Sequence, residues 1–207
     1  LVPGHRLLVI GGGWIGLEIA ATARKQQVDV TVLEAGPRLC ARSVPPQLSD
    51  FLLAKHRKEG VDVRLSTTVT SIGAGRERAL AVQLSGVAQE FDAVVVGIGL
   101  GLDTGLAEAC GLEGRDGIVV DPSGRSSDPD IYAVGDVANQ PNSWAGGRLR
   151  CESGANAQNQ AIAVGKAIAG GEVVYDEIPW FWSDQYDLNL QVLGIPSNDL
   201  AGIVRGS

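Results

Sequence analysis

The amino-acid sequence predicts an α/β protein whose core is a parallel sheet carrying a dinucleotide site, and three observations carry that prediction. An apolar run, Leu7-Leu8-Val9-Ile10, leads into Gly11-Gly12-Gly13-Trp14-Ile15-Gly16, in which Gly11, Gly13 and Gly16 satisfy G-x-G-x-x-G. A strand before that motif and a helix after it are the context in which it binds a pyrophosphate. The next apolar run, Val28-Asp29-Val30-Thr31-Val32-Leu33, ends on an acid, Glu34, 23 residues beyond Gly11. Apolar runs then alternate with helical patterns over residues 7–65, the β-α-β-α-β order of a parallel sheet.

Each glycine has its own task. Gly11 permits the tight turn, Gly13 lets a pyrophosphate approach the backbone, and Gly16 lets helix and strand pack closely. The helix that follows presents unpaired N–H groups and a positive dipole end to the phosphates. A carboxylate at Glu34 accepts hydrogen bonds from the adenosine ribose 2′-OH and repels a 2′-phosphate, which favours NAD over NADP. A glycine-rich turn without a ligand is the plainer reading of the same residues.

The first helix is predicted over residues 14–26, with Ile15, Ile19, Ala20 and Ala23 at helical spacing. Gln27 holds the turn into the next strand; if that position is left-handed, a side chain there costs up to about 1 kcal/mol. After a polar loop, Ala35 to Arg42, the pair Pro45-Pro46 opens a second helix over residues 47–59, closed by Gly60. Val61-Asp62-Val63-Arg64-Leu65 is the next strand. Three short runs beginning at Val69, Leu80 and Val87, separated by glycine-containing turns, predict a β-meander. Ala93-Val94-Val95-Val96 suits a strand buried on both faces, and its ending, Gly97-Ile98-Gly99, permits close approach of a ligand. Leu102 stands where a third glycine would be, so this is not a second fingerprint. Further on, a strand is expected over residues 117–121 and another over residues 128–136, ended by Gly135-Asp136. A long helix over residues 154–168 is ended by Gly170-Gly171, and residues 179–186 and 188–193 begin a new β unit.

With 207 residues and 44% hydrophobic content, the chain is long enough for one large or two small domains with a substantial core. A formal charge of −7 makes no electrostatic case for nucleic-acid binding. Cys40, Cys110 and Cys151 form no C-x-x-C, which argues against a dithiol centre, a zinc site or a disulfide framework; free core thiols are the expectation. No run approaches the roughly 20 apolar residues that span a bilayer, and no signal peptide is visible, so a cytoplasmic protein with no membrane association is expected. The chain contains no methionine and opens at Leu1 almost on its first strand, so it is expected to be an internal stretch of something longer.

Four segments occur in an order that carries a resemblance: residues 11–18, Ile131-Tyr132-Ala133-Val134-Gly135-Asp136, Asn156-Ala157-Gln158, and Trp180-Phe181-Trp182-Ser183-Asp184-Gln185. Together they resemble the FAD-dependent ferredoxin reductases that serve oxygenase systems, a group that includes putidaredoxin and rubredoxin reductases and the reductase components of biphenyl- and toluene-type dioxygenases. The resemblance covers essentially the whole chain. It implies a Rossmann-like, two-dinucleotide flavoprotein: residues 1–100 an NAD domain, residues 101–176 the returning half of an FAD domain, and residues 177–207 the start of an α+β interface domain.

The resemblance also implies roles. Asp136 would bond the ribityl hydroxyls of FAD beside Gly135, the alternative being a helix-capping aspartate. Glu18 would face the nicotinamide carboxamide, the alternative being a solvated helix residue. Gly97, Ile98 and Gly99 would lie under the nicotinamide half. Arg42, and less surely Arg38, would lie near the adenosine unless they are solvated loop arginines. Glu152 matches a family position near the cofactors. Trp182, with Ser183 and Asp184, would lie beside the flavin at the face toward the ferredoxin, whereas Trp180 and Phe181 are read as core aromatics. Gly154 departs from the family, which usually has tryptophan there. Trp14 replaces a smaller residue and must point away from the pyrophosphate.

The implied activity is NADH-dependent reduction of FAD, followed by single-electron transfer to a two-iron, two-sulfur ferredoxin or a rubredoxin feeding an aromatic-ring dioxygenase or related oxygenase. Neither His5 nor His56 receives a role. Two other readings stay open: a related flavoprotein such as an NADH oxidase or a nitrite reductase NADH module, and a dinucleotide-binding redox sensor without turnover.

Overall fold

The structure, a computed structural model, describes residues 1–76, 79–84, 87–195, 203 and 205. Two compact units divide the chain after Gly99; Ser183–Leu190 counts with the first unit, while Leu100–Trp182 and Gln191–Ile195 form the second.

The first unit opens with β1 (Arg6–Ile10), α1 (Trp14–Lys25), β2 (Asp29–Leu33), α2 (Pro46–Lys58) and β3 (Asp62–Arg64). It continues with β4 (Val69–Ala74), β5 (Leu80–Leu84), β6 (Val87–Phe91) and β7 (Ala93–Val96). A parallel sheet has the order β3-β2-β1-β7, and β4, β5 and β6 form the expected antiparallel meander. The chain therefore leaves β1 in one direction and returns on its other side through β7. Such a reversal leaves a crevice outside the carboxyl ends of the two strands, the place where α/β sheets bind ligands.

The pleat explains why the sheet is covered on both faces. Leu7 and Val9 of β1 join Val30, Val32 and Val63 in a cluster with Leu17 and Ala20 of α1 and Leu52 of α2. Leu8 and Leu33 point the other way, to Val82, Leu84 and Phe91 of the meander. Each such side chain contributes about 1.5–3 kcal/mol when fully buried. A one-residue slip would send every one of them to the wrong face.

Local signals explain the ends of these elements. Pro46 occupies the first turn of α2, one residue earlier than the spacing suggests, where its missing N–H costs nothing. Gln27 has a φ of +61°, the left-handed position anticipated for it. The strand β7 departs from expectation: it is half-buried rather than covered on both faces, and Val96 is 57% exposed. The reason is its place at the sheet edge, paired with β1.

The second unit contains α3 (Gly105–Ala109), β8 (Ile118–Val119), β9 (Ala138–Asn142), β10 (Gly147–Arg150) and α4 (Gly154–Ile168). Its sheet has the order β10-β9-β8, antiparallel then parallel. Residues 128–136 do not form the expected strand. Tyr132 makes an isolated bridge to Arg125, and Gly135–Val137 is a single 3₁₀ turn that Gly135 enters with a φ of +75°, outside the strand region. The hairpin of β9 and β10 lies where the sequence predicts no element, and it contains a proline, Pro141, a residue rare inside strands. It is tolerated because β8 pairs only with Ala138 and Asn139, short of the proline. By contrast α4 spans the expected residues: the Ser153 hydroxyl accepts the Asn156 N–H at 3.1 Å as its cap. Gly170, with a φ of +90°, ends it.

The strands β11 (Trp180–Gln185) and β12 (Leu188–Leu193) pair across a turn in which Tyr186 has a φ of +57°. Most of residues 196–207, in the expected interface segment, lies outside the described residues, as do the glycine turn at 85–86 and residues 77–78. Among the described residues no helix is long and apolar enough to cross a membrane.

Candidate functional site: a glycine crevice at the β1–β7 switch

The strand order brings the two glycine turns together. The Gly97 N–H donates to the Ile10 carbonyl and the Gly11 N–H to the Leu33 carbonyl, both at 2.7 Å. Gly11 has a φ of +111°, and a Cβ built on it would fall onto the Gly97 carbonyl oxygen. A Cβ on Gly16 would fall onto the Gly11 carbonyl oxygen. Only hydrogens fit at these two contacts, so β7, β1 and the start of α1 meet backbone to backbone. Gly13 is different: nothing lies within 4 Å of a Cβ built there, and it opens α1 with no side-chain cap. That helix end presents unpaired backbone donors of the kind that bind a pyrophosphate.

The rim is apolar. Ile15 is 67% and Ile98 71% exposed, on either side of the crevice. Arg42 reaches Gly99, its Nη2 lying 3.4 Å from where a Cβ would be. Arg38 behaves otherwise: its guanidinium donates to the carbonyls of Val44 and Ala41 and to the Ser49 hydroxyl, holding its own loop together. Trp14 packs against the apolar cluster beneath the sheet.

Glu34 sits at the carboxyl end of β2. Its Oε2 accepts the Gly12 N–H and its Oε1 the Gly36 N–H, each at 2.7 Å. The side chain thus braces the glycine turn, and a carboxylate with about four lone-pair sites still has capacity for ribose hydroxyls. These residues fit an adenine dinucleotide without a 2′-phosphate.

Glu18, half-buried one turn into α1, terminates a chain of side chains that the sequence did not reveal. The Ser183 hydroxyl donates to Glu18 Oε1 at 2.6 Å, and Gln185 Nε2 donates to Ser183 Oγ at 3.0 Å. The Gln185 Oε1 lies 2.8 Å from His56 Nε2, and Tyr186 O–H lies 3.0 Å from His56 Nδ1. Chemistry fixes the direction. A carboxylate accepts, so Ser183 donates to it; Ser183 Oγ must then accept from the amide, leaving Gln185 Oε1 to accept the imidazole N–H. His56 Nδ1 consequently accepts from Tyr186. His56, Ser183 and Gln185 are at most 1% exposed.

His56 therefore has a place in this relay, although its sequence context assigns it no role. Its one sequence signal is helical spacing: it follows Leu52 and Ser49, both buried, on the inward face of α2. Burial holds its pKa below the ordinary 6.5, against the opposing effects of its hydrogen bond to the Gln185 amide oxygen and of the nearby Glu59 charge. Below about pH 6.5 the unfolded chain takes up a proton that the folded imidazole resists, so stability falls as pH drops through that value toward the folded pKa. Denaturant midpoints measured from about pH 7.5 to about pH 5.5 are expected to fall more steeply in the native protein than in His56→Gln. Equal slopes would show that His56 is not buried neutral.

In the second unit, Gly135 donates its N–H to Gln160 Oε1 of α4 at 2.7 Å, and Gln160 continues through Gln140 to Asn156. This network aims the 3₁₀ turn that carries Asp136. The Asp136 carboxylate is half-buried and caps no helix among the described residues, the cap of α4 being Ser153. Glu152 pairs with Arg150 at 2.6 Å, and Arg150 also holds the Asp136 carbonyl and Asp116. Trp180 and Trp182 pack with ring centroids 5.2 Å apart and are 38% and 48% exposed, so Trp180 is not a core residue. A Cβ at Gly154 meets open space.

The thiols are not the core set that the sequence suggested. Cys40 is buried, Cys151 half-buried and Cys110 exposed. Burial pushes the Cys40 thiol up to about 12, with Glu34 adding to the rise, and burial also raises Cys151. Neither is poised as a thiolate.

Comparison with known proteins agrees with this architecture. Residues 1–161 match the family model for pyridine nucleotide-disulphide oxidoreductases, and residues 180–207 match the model for the reductase C-terminal region. The chain is 44% identical to the 5,5′-dehydrodivanillate O-demethylase ferredoxin reductase subunit of a Sphingobium species, covering 100% of this chain and 51% of that protein. It is 41% identical to putidaredoxin reductase of Pseudomonas putida, over 100% and 50% of the two chains. The crystal structure of the covalent putidaredoxin reductase–putidaredoxin complex superposes with a TM-score of 0.93 at 40% identity, covering 100% of this chain and 50% of that one. The chain thus spans about half the length of the curated relatives it matches. With its fingerprint, sheet order and family match in agreement, this chain belongs to the pyridine nucleotide-disulphide oxidoreductases.

Proposed function

We propose that the chain is the nucleotide-binding part of a cytoplasmic, NADH-dependent flavoprotein reductase that delivers electrons to a ferredoxin or rubredoxin serving an aromatic-ring dioxygenase or related oxygenase. The observation that carries this reading is the glycine crevice at the β1–β7 switch, braced by Glu34, with Glu18 one turn into the helix that opens on it. The names of the relatives, ferredoxin reductase and putidaredoxin reductase, support the acceptor. Residues 1–100 would be the NAD domain, 101–176 the second half of the FAD domain, and 177–207 the start of the interface domain.

When bound, NADH and FAD supply the hydride and single-electron chemistry. The work of the protein is to bind, orient and exclude. Gly11, Gly13 and Gly16 seat the pyrophosphate with Trp14 and Ile15 in the first turn of α1, Glu34 selects the unphosphorylated ribose, and Arg42, which reaches Gly99 rather than the adenosine side the resemblance implied, lies beside the nucleotide. Gly97, Ile98 and Gly99 floor the nicotinamide half, whose carboxamide Glu18 orients. Gly135 and Asp136 receive the ribityl chain of FAD, with Glu152 and Trp182 nearby. No side chain is needed as a nucleophile, in keeping with the raised thiol pKa values.

The test is the full-length protein, anaerobic, with NADH and a two-iron, two-sulfur ferredoxin. NADH-dependent ferredoxin reduction is expected, with little oxygen consumption when air is admitted and ferredoxin withheld. Rapid oxygen consumption without ferredoxin reduction would instead mark an NADH oxidase.

A further inference from the structure

We propose that Ser183, Gln185 and His56 are positioning residues that hold the Glu18 carboxylate in the orientation it needs toward the nicotinamide carboxamide. The proposal rests on the reading of Glu18 given above and extends it to the side chains that hold that carboxylate. Five side chains form one unbroken relay of four hydrogen bonds, and every donor in it points toward Glu18: Tyr186 O–H to His56, His56 N–H to Gln185, Gln185 N–H to Ser183, Ser183 O–H to Glu18.

Two features argue for a device rather than incidental packing. Its three central members are at most 1% exposed. Burying an imidazole, an amide and a hydroxyl is costly unless all are satisfied, and an apolar filling would avoid that cost. The far end is also anchored. The Tyr186 carbonyl accepts Lys25 Nζ from the end of α1 at 2.6 Å, and Lys55 of α2 lies 2.5 Å from Asp187 and 2.8 Å from Glu59. The turn between β11 and β12 is thereby clamped to both helices, which fixes the strand that carries Ser183.

The relay orients; it does not conduct protons. An amide passes a proton only by tautomerising, so Gln185 interrupts any hop between His56 and Ser183. What remains is a fixed charge-assisted hydrogen bond, one of the stronger kinds in proteins.

The experiment uses the full-length protein and two ligands, NAD⁺ and ADP-ribose, which is NAD⁺ without its nicotinamide. Dissociation constants are read by titration. Ser183→Ala is expected to weaken NAD⁺ by about tenfold, as loss of a charge-assisted bond would, and to leave ADP-ribose within about twofold. Ser183→Thr, which keeps the hydroxyl, restores NAD⁺ binding. Gln185→Leu gives the same split as Ser183→Ala. Glu18→Ala weakens NAD⁺ similarly, and Glu18→Ala combined with Ser183→Ala is no worse than Glu18→Ala alone, since coupled residues are non-additive.

If Ser183→Ala weakens both ligands alike, or multiplies with Glu18→Ala, the relay is structural and the proposal is overturned. If Glu18→Ala discriminates between the ligands while Ser183→Ala does not, the proposal falls and the reading of Glu18 stands. Should Glu18→Ala itself fail to discriminate, that reading falls and takes the relay with it.

Discussion

Gly13→Ala is expected to fold normally and lose nucleotide affinity, whereas Gly11→Ala is expected to lose the fold of the first unit. The two residues stand two apart in one motif, and the structure separates their tasks. At Gly13, φ is −84° and an added methyl meets nothing within 4 Å. Replacing glycine at this helix start costs the fold little, a few tenths to about 1 kcal/mol. The methyl would stand in the space where a pyrophosphate comes against the backbone, so NADH affinity should drop on the order of tenfold or more. At Gly11, φ is +111° and the methyl would land on the Gly97 carbonyl, with the carbonyl carbon 2.7 Å away. Backbone cannot rotate aside as a side chain can. Strain and overpacking together are expected to cost about 3 kcal/mol or more. Thermal unfolding checks the first quantity and nucleotide titration the second. Equal loss of stability in both variants would contradict the assignment.

Glu34→Ala is expected to damage both selectivity and the turn. The carboxylate accepts two backbone N–H groups, from Gly12 and Gly36, and Gly12 is buried. Orphaning these donors costs about 1–3 kcal/mol each where water cannot replace the partner. The negative charge that turns away a 2′-phosphate disappears as well, so the preference for NADH over NADPH should shrink by at least about tenfold. Glu34→Gln separates the two effects. It keeps one acceptor oxygen, turns an amide N–H₂ toward the other donor and removes the charge. Selectivity should fall nearly as far as in Glu34→Ala, with a smaller loss of stability. A variant that keeps its preference for NADH would show that Glu34 only braces the loop.

What could be read from the sequence was local in the chain. Gly11 to Gly16 and Glu34 belong to a single β-α-β passage, so spacing alone located them. The Gly97 turn was visible as glycine, yet its contact with Gly11 depends on β7 returning beside β1, and strand order is not written in any short segment. Gly170-Gly171 marks the end of α4, because caps are short-range chemistry. The same short-range logic fails at Gly135, where a glycine that reads as a strand end carries the positive φ that starts a 3₁₀ turn. The relay to Glu18 was invisible for a third reason. His56 and Gln185 are 129 residues apart, and a histidine at helical spacing from Leu52 and Ser49 announces burial without naming its partner.

The most direct test of the central claim follows the visible absorbance of the flavin in the full-length protein under anaerobic NADH and, separately, NADPH. The account predicts rapid bleaching by NADH, far ahead of NADPH. Retained flavin that neither nucleotide bleaches, or that NADPH bleaches first, would contradict it.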